Sequence, residues 1–269
     1  MFLEAIKRHV GVWKLENMRA KPYFYWEEED KDRYYSPSQA LICAIMYGHR
    51  RYAQYLLSHY PRDALATPWM KASPLPRGAP HLALAVEYDR KEIMNMILGA
   101  AQHLGILSFY VNQKSGFGWE ERTALHRATG MADADAVLML LGKGADPNIE
   151  DSGGFTPLDI VLEQLGDSSV NMDAKRFCLH YLLLFSPAVP FRTKATLRGN
   201  EEYWGNLLGW DEYRYLIGKA PLPLSLCAMK TVLRCLVPSD FPHSVLALPI
   251  PPALKPVPAQ LDTWEPKEP

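Results

Sequence analysis

The chain has 269 residues, enough for one or two domains with a proper core. Its 48% hydrophobic and 22% charged residues are ordinary for a globular protein, and a formal net charge of −1 gives no electrostatic case for nucleic acid or anionic membrane as a partner. No apolar run approaches the ~18 residues needed to span a bilayer. The four cysteines (Cys43, Cys178, Cys227, Cys235) are scattered without a CxxC pair. That argues against a disulfide framework or a zinc site, and for a reducing, cytoplasmic setting with nuclear access open.

The N-terminus, MFLEAIKRHVGVW, mixes Glu4, Lys7 and Arg8 into its apolar positions and so lacks the core of a signal peptide. Within residues 1–35, Phe2, Ile6, Val10 and Trp13 predict a helix that caps the next segment of the chain. The aromatics of this segment (Trp13, Tyr23, Phe24, Tyr25, Trp26, Tyr34, Tyr35), set beside an acidic run, also suit contact with a partner.

From residue 36 a paired-helix pattern recurs. QALICAIMYGHRRYAQYLL (39–57) places Leu41 and Ala44 on a first helix, Gly48-His49 at a joint, and Leu56-Leu57 on a second. PHLALAVEYDRKEIMNMIL (80–98) keeps Leu82, Ala85, Ile93, Ile97 and Leu98, with Asp89-Arg90 at the joint. TALHRA at Thr123 is followed 33 residues later by TPLDIV. Thr123 and Thr156 stand where a hydroxyl caps a helix. Leu125 and Ala128 share a face, Val137, Leu140 and Leu141 are spaced for burial, and Gly142 and Gly144 break the second helix. After Leu158–Leu162, the stretch RFCLHYLLLF reads as a closing helix.

This pattern resembles the ankyrin repeat, whose T-P-L-H-x-A signature recurs about every 33 residues. The likeness rests on Thr123, Leu125, His126 and Ala128 and on Thr156, Pro157 and Leu158. It implies an all-α solenoid over residues 36–190, of about four repeats, binding a protein through its concave face. His126, at the signature histidine, is implied to bond the turn of a neighbouring repeat. Starts near 39, 80, 123 and 156 leave intervals of 41 and 43, so inserted loops separate the early repeats. Such loops usually lie on the binding face. His49, His81 and His126 belong to no grouping with metal-ligand spacing, GFGWEE is no phosphate loop, and no nucleophile motif is present. The reading is a non-catalytic protein without a cofactor.

Residues 191–218 predict connecting helices, with GNEEYWGNLLGWDEYRYLIG (199–218) reading as a helix or two, stopped by Gly218. In residues 219–258, Pro221 and Pro223 open a helix on which Leu224, Ala228 and Val232 fall at i, i+4 and i+8, with Cys227, Thr231 and Cys235 beside them. Pro238 ends it, and Phe241–Leu246 leads into the stiff ribbon LALPIPPALKPVP. Residues 259–269 form a tail.

This segment resembles a SOCS box, the elongin-binding module of cullin–RING ligase receptors. Pro223, Leu224 and Val232 match its first helix. Ala228 stands where cysteine is usual, and Cys227 is one residue early, about 100° around the helix. Alanine there removes burial on the order of 1 kcal/mol. Leu248-Pro249-Ile250-Pro251 matches the Leu-Pro-aliphatic-Pro of cullin-5-directed boxes. The resemblance implies elongin B/C binding through Leu224, Ala228, Val232 and Leu236. It also implies cullin binding through Leu248, Pro249, Ile250 and Pro251, to cullin-5 with cullin-2 open. The chain would then deliver an unidentified substrate protein for ubiquitination and degradation. Two other readings stay open: an ankyrin scaffold whose 224–236 helix buries its apolar face within the chain as a cap, and PPALKPVP as a proline-rich ligand.

Overall fold

A computed structural model describes residues 2–21, 35–66, 81–115, 121–167, 169–186, 191–251 and 255. Every regular element among them is helical. They fall into two compact units, the first up to Tyr110 together with Ser115, the second from Val111 onward. The first unit holds α1 (Phe2–Lys7), α2 (Val12–Arg19), α3 (Pro37–Met46), α4 (Arg50–His59), α5 (Pro61–Leu65), α6 (His81–Glu87), α7 (Lys91–His103) and α8 (Leu107–Tyr110). The second holds α9 (Ala124–Gly130), α10 (Ala134–Gly142), α11 (Pro157–Asp167), α12 (Met172–Phe185), α13 (Lys194–Gly199), α14 (Glu201–Leu208), α15 (Trp210–Ile217), α16 (Leu224–Cys235) and α17 (His243–Leu246).

The helix pairs are built on one local device. The chain reverses over a residue with positive φ: His9 (51°), Gly48 (68°), Asp89 (51°) and Ala132 (54°). The next residue donates its N–H to the carbonyl of an alanine five positions back, at Ala5, Ala44, Ala85 or Ala128. This left-handed cap satisfies a carbonyl that the helix end would otherwise leave open. The alanine is buried in all four pairs. A side chain with no γ atom lets the returning helix pass close by. The spacing of Ala44, Ala85 and Ala128 confirms the repeat register read from the sequence.

Ala5 and His9 extend that register to the N-terminus. The single capping helix expected there is instead a helix pair, α1 and α2, broken at His9–Gly11. Phe2 and Ile6 are buried as anticipated, but Trp13 is 80% exposed and Leu15 takes the inward position. His49 holds the pair in place: its Nδ1 accepts from the Tyr52 amide at 3.2 Å and its Nε2 donates to the Val10 carbonyl at 3.0 Å. The first inserted segment contributes α5 before running outside the described residues, and the second contributes α8. Tyr23–Tyr34 lie outside them as well.

The signature residues do structural work. Thr123 and His126 form a reciprocal capping box on α9. With Nδ1 facing the Thr123 amide and hydroxyl, the Nε2–H donates to the Phe155 carbonyl of the next turn at 3.1 Å. In the following pair Asp159 occupies the histidine position. One carboxylate oxygen accepts from the Thr156 amide and hydroxyl, at 3.0 and 2.8 Å. The other accepts the Arg192 and Thr193 amides at 2.7 and 3.0 Å. The segment after α12 offers donors there, not a carbonyl, and a carboxylate answers donors where a second N–H would not. Leu125, Ala128, Pro157 and Leu158 are buried around these caps.

His81 is fully enclosed in the first unit. Its Nε2 donates to the Ser38 carbonyl at 3.0 Å, and its Nδ1 accepts from the Tyr110 hydroxyl at 3.1 Å. Burial holds the His81 and His126 rings neutral, with pKa lowered from 6.5 to about 4 in each. The unfolded chain takes up those protons near pH 6.5. Stability is therefore complete above pH 6.5 and declines as the pH falls toward 4, by up to ~1.4 kcal/mol per pH unit for each ring. Urea unfolding at pH 7 and pH 4.5 should show a lower midpoint at the acid value, with a shallower pH dependence in His126→Asn.

Candidate partner-docking site

The C-terminal elements are laid onto the last repeat pair. The connecting stretch divides into α14 and α15 at Gly209, whose φ of 94° no bulky residue adopts readily, and Gly218 stops α15 with φ 80°. Pro223 then serves as the N-cap of α16, its carbonyl accepting the Cys227 amide at 3.0 Å. Proline has no N–H to lose at such a position.

One face of α16 is a seat. Leu226, Lys230 and Leu233, at i, i+4 and i+7, are each 8–9% exposed and turn inward, with α16 packed on α12. The buried Lys230 ammonium donates to the Leu183 carbonyl at 3.3 Å, within the last turn of α12. A cation at that end satisfies an open carbonyl and opposes the negative pole of the helix. Burial lowers the Lys230 pKa, and the nearby Arg234 lowers it further.

The opposite face is open. Leu224 is 85% exposed, Ala228 is exposed and Val232 is 37% exposed, with Thr231 and Cys235 beside them. Thr231 Oγ1 returns to the Cys227 carbonyl at 2.9 Å, so it adds little polarity outward. Leu236, the fourth member of the sequence stripe, departs from it. It caps α16 in extended conformation (ψ 144°), half-buried, on the wall of a cavity of about 120 Å³ shared with Leu141, Leu184 and Phe241.

Beyond α16 a 3-10 turn (Pro238–Asp240) leads to Phe241, which is 4% exposed. Its ring lies over Gly142 at the end of α10, where a Cβ would fall 2.2 Å from the ring. It also meets Phe185 edge-on at 6.3 Å. Gly142 has an ordinary φ, so the glycine gives room there, not turn geometry. In a helix it costs about 0.5–1 kcal/mol relative to alanine. Lys143 donates to the Ser239 carbonyl at 2.8 Å, and Lys255 to the Leu246 carbonyl. Val245 of α17 is buried. Leu248 and Ile250 are half-buried, while Pro249 and Pro251 are exposed. Residues 252–254 and 256–269, with most of the PPALKPVP stretch, lie outside the described residues.

The described residues contain no group of three or more His, Cys, Asp or Glu able to hold a metal ion, and no helix long and apolar enough to cross a membrane. Burial pushes the Cys43 and Cys178 thiols up to about 12, far from a reactive thiolate.

Comparison with known proteins agrees with the repeat fold. The ankyrin repeat family matches residues 120–152, the span of the Thr123–His126 box and α9–α10. Mouse ankyrin repeat domain-containing protein 9 is 32% identical over 95% of this chain and 87% of its own length. The chain belongs to the ankyrin repeat domain-containing protein 9 family. Shorter matches, 37% identical over 70 residues, connect 24% of the chain to 8% and 7% of the E3 ubiquitin-protein ligase HACE1 of Xenopus tropicalis and Xenopus laevis. A member of this family is an ankyrin-type adaptor whose work is protein interaction.

The two faces of α16 make opposite demands on stability. Leu233→Ala removes packing against α12 and should cost about 2 kcal/mol, whereas Leu224→Ala should leave the free chain within about 0.5 kcal/mol of wild type. Chemical unfolding of the two variants side by side checks the assignment of the faces.

Proposed function

We propose that this chain is the substrate receptor of an elongin B/C–cullin RING ubiquitin ligase. Leu224, Ala228 and Val232 form the elongin-docking face, and Leu248-Pro249-Ile250-Pro251 is the cullin contact. The observation that carries the reading is the outward stripe of α16. A helix that served only as a cap would bury its apolar side chains. This one is already anchored through Leu226, Lys230 and Leu233, and still presents Leu224 to solvent at 85% exposure. Covering a leucine side chain contributes about 1.5–3 kcal/mol to association, and an amphipathic helix lying in an apolar groove is a general recognition mode. The SOCS-box pattern of the sequence falls on that outward face at Leu224 and Val232, with the small Ala228 between them.

In this reading the chain performs no catalysis. Its ankyrin pairs hold a substrate protein, and the C-terminal elements bring that substrate to the ubiquitin-loaded end of the assembly, raising the effective concentration of its lysines. Cullin-5 is the cullin favoured by the LPIP strip, and the working compartment is the cytoplasm. Leu236 is assigned to the seat of Phe241, outside the elongin face.

Co-purification with elongin B/C tests the proposal. Wild type should be recovered stoichiometrically. Leu224→Asp should lose the interaction, because a carboxylate would be buried without a partner, while keeping its fold because the residue is exposed. Capture by the aspartate variant equal to wild type would remove Leu224 from the interface. Failure of well-folded wild type to bind would leave α16 as a cap on an ankyrin scaffold. Leu248→Ala with Pro249→Ala should weaken cullin binding while sparing elongin.

A further inference from the structure

The two docking elements are held by adjacent anchors that meet at one cavity, lined by Lys230 and Leu233 on one side and by Gly142 and Phe241 on the other. α16 is fixed through Leu226, Lys230 and Leu233 on α12. The helix then ends at Cys235, and Leu236 and Val237 are extended, so no helical backbone carries the orientation of α16 on to residues 248–251. That strip depends on what holds residues 238–246. Val245 and Phe241 are both buried there, and the larger of the two side chains, Phe241, lies against Gly142 and Phe185. The lysine bonds to Ser239 and Leu246 reach backbone carbonyls only, a contact any side chain at those positions would allow. The Phe241 ring, in contrast, fills a place that exists only because residue 142 has no side chain.

We infer that Phe241 is a positioning residue: seated on Gly142, it sets the place of the Leu248–Pro251 strip relative to α16, so that elongin and cullin are met in a single geometry. This rests on the proposed receptor function. It separates the two anchors by function. The α12 seat governs elongin capture, and the α10 seat governs cullin recruitment. The same key can be broken from either side, by shortening the ring or by adding one methyl group beneath it.

The experiment measures elongin B/C affinity, and then cullin-5 affinity of the elongin-bound chain, for wild type, Gly142→Ala, Phe241→Ala and the double variant. Elongin affinity should stay within about twofold throughout. Cullin affinity should fall about tenfold or more in each single variant. The double variant should be no worse than Phe241→Ala, because alanine at 142 acts only through the ring. Hydrogen exchange of the free chains should quicken over 238–251 in the single variants, with α10–α12 unchanged. Cullin affinity within twofold of wild type in both single variants would overturn the inference, as would losses that add fully in the double variant. In either case wild type still binds elongin and the receptor reading stands. Wild type binding neither partner would bring down the receptor reading and the inference with it.

Discussion

The architecture depends on what is done with the open carbonyls at helix C-termini. A stack of short helices has many such ends, and each leaves up to four acceptors without an intrahelical donor. Within the first four pairs the left-handed turn serves one of them, returning an N–H to Ala5, Ala44, Ala85 or Ala128. A long side chain from a neighbouring helix pair serves others. Arg90 donates to the Ile45 and Met46 carbonyls at 3.2 and 3.4 Å, and Gln164 to that of Gly130. Lys175, itself buried, donates to the Gln164 carbonyl at 2.8 Å at the end of α11.

The C-terminal elements continue the same scheme. Arg176 donates to the Leu207 carbonyl at the end of α14, Arg198 to Ile217 at the end of α15, and Lys230 to Leu183 at the end of α12. α16 is thus attached as a further layer of the second unit, by the device that attaches one repeat to the next. One consequence is chemical. Because a buried lysine and two leucines satisfy its inward face, α16 can be stable without a partner and still keep a second apolar stripe free. A helix with only one apolar face would have to choose between anchoring and docking.

The replacement of the signature histidine by Asp159 shows how the end of an array is recognised locally. In the preceding pair the ring of His126 needs a carbonyl, and the next turn supplies one at Phe155. After α12 the chain departs through Arg192 and Thr193, whose amides need acceptors, and the carboxylate supplies them. One substitution at a capping position therefore switches the polarity of the joint from repeat-to-repeat to repeat-to-extension.

The sequence by itself determined the repeat register, the caps at Thr123 and Thr156, and the position of α16. Each of these rests on local spacing: an alanine four residues before a left-handed position, a hydroxyl three residues before its amide, a leucine on every turn. The N-terminal pair was legible in principle from Ala5, but a histidine at the left-handed position, where glycine or asparagine would have signalled a turn, concealed the break. Only the tertiary structure decided which face of α16 is free. Hydrophobic patterning places a lysine outward, and Lys230 goes inward because the Leu183 carbonyl, 47 residues away, is there to receive it. The same holds for Gly142, which reads along the chain as a helix stop and in space is the seat of Phe241. A pairing so distant in sequence leaves no periodic trace, since it is fixed by the shape of two surfaces that meet only once the chain has folded.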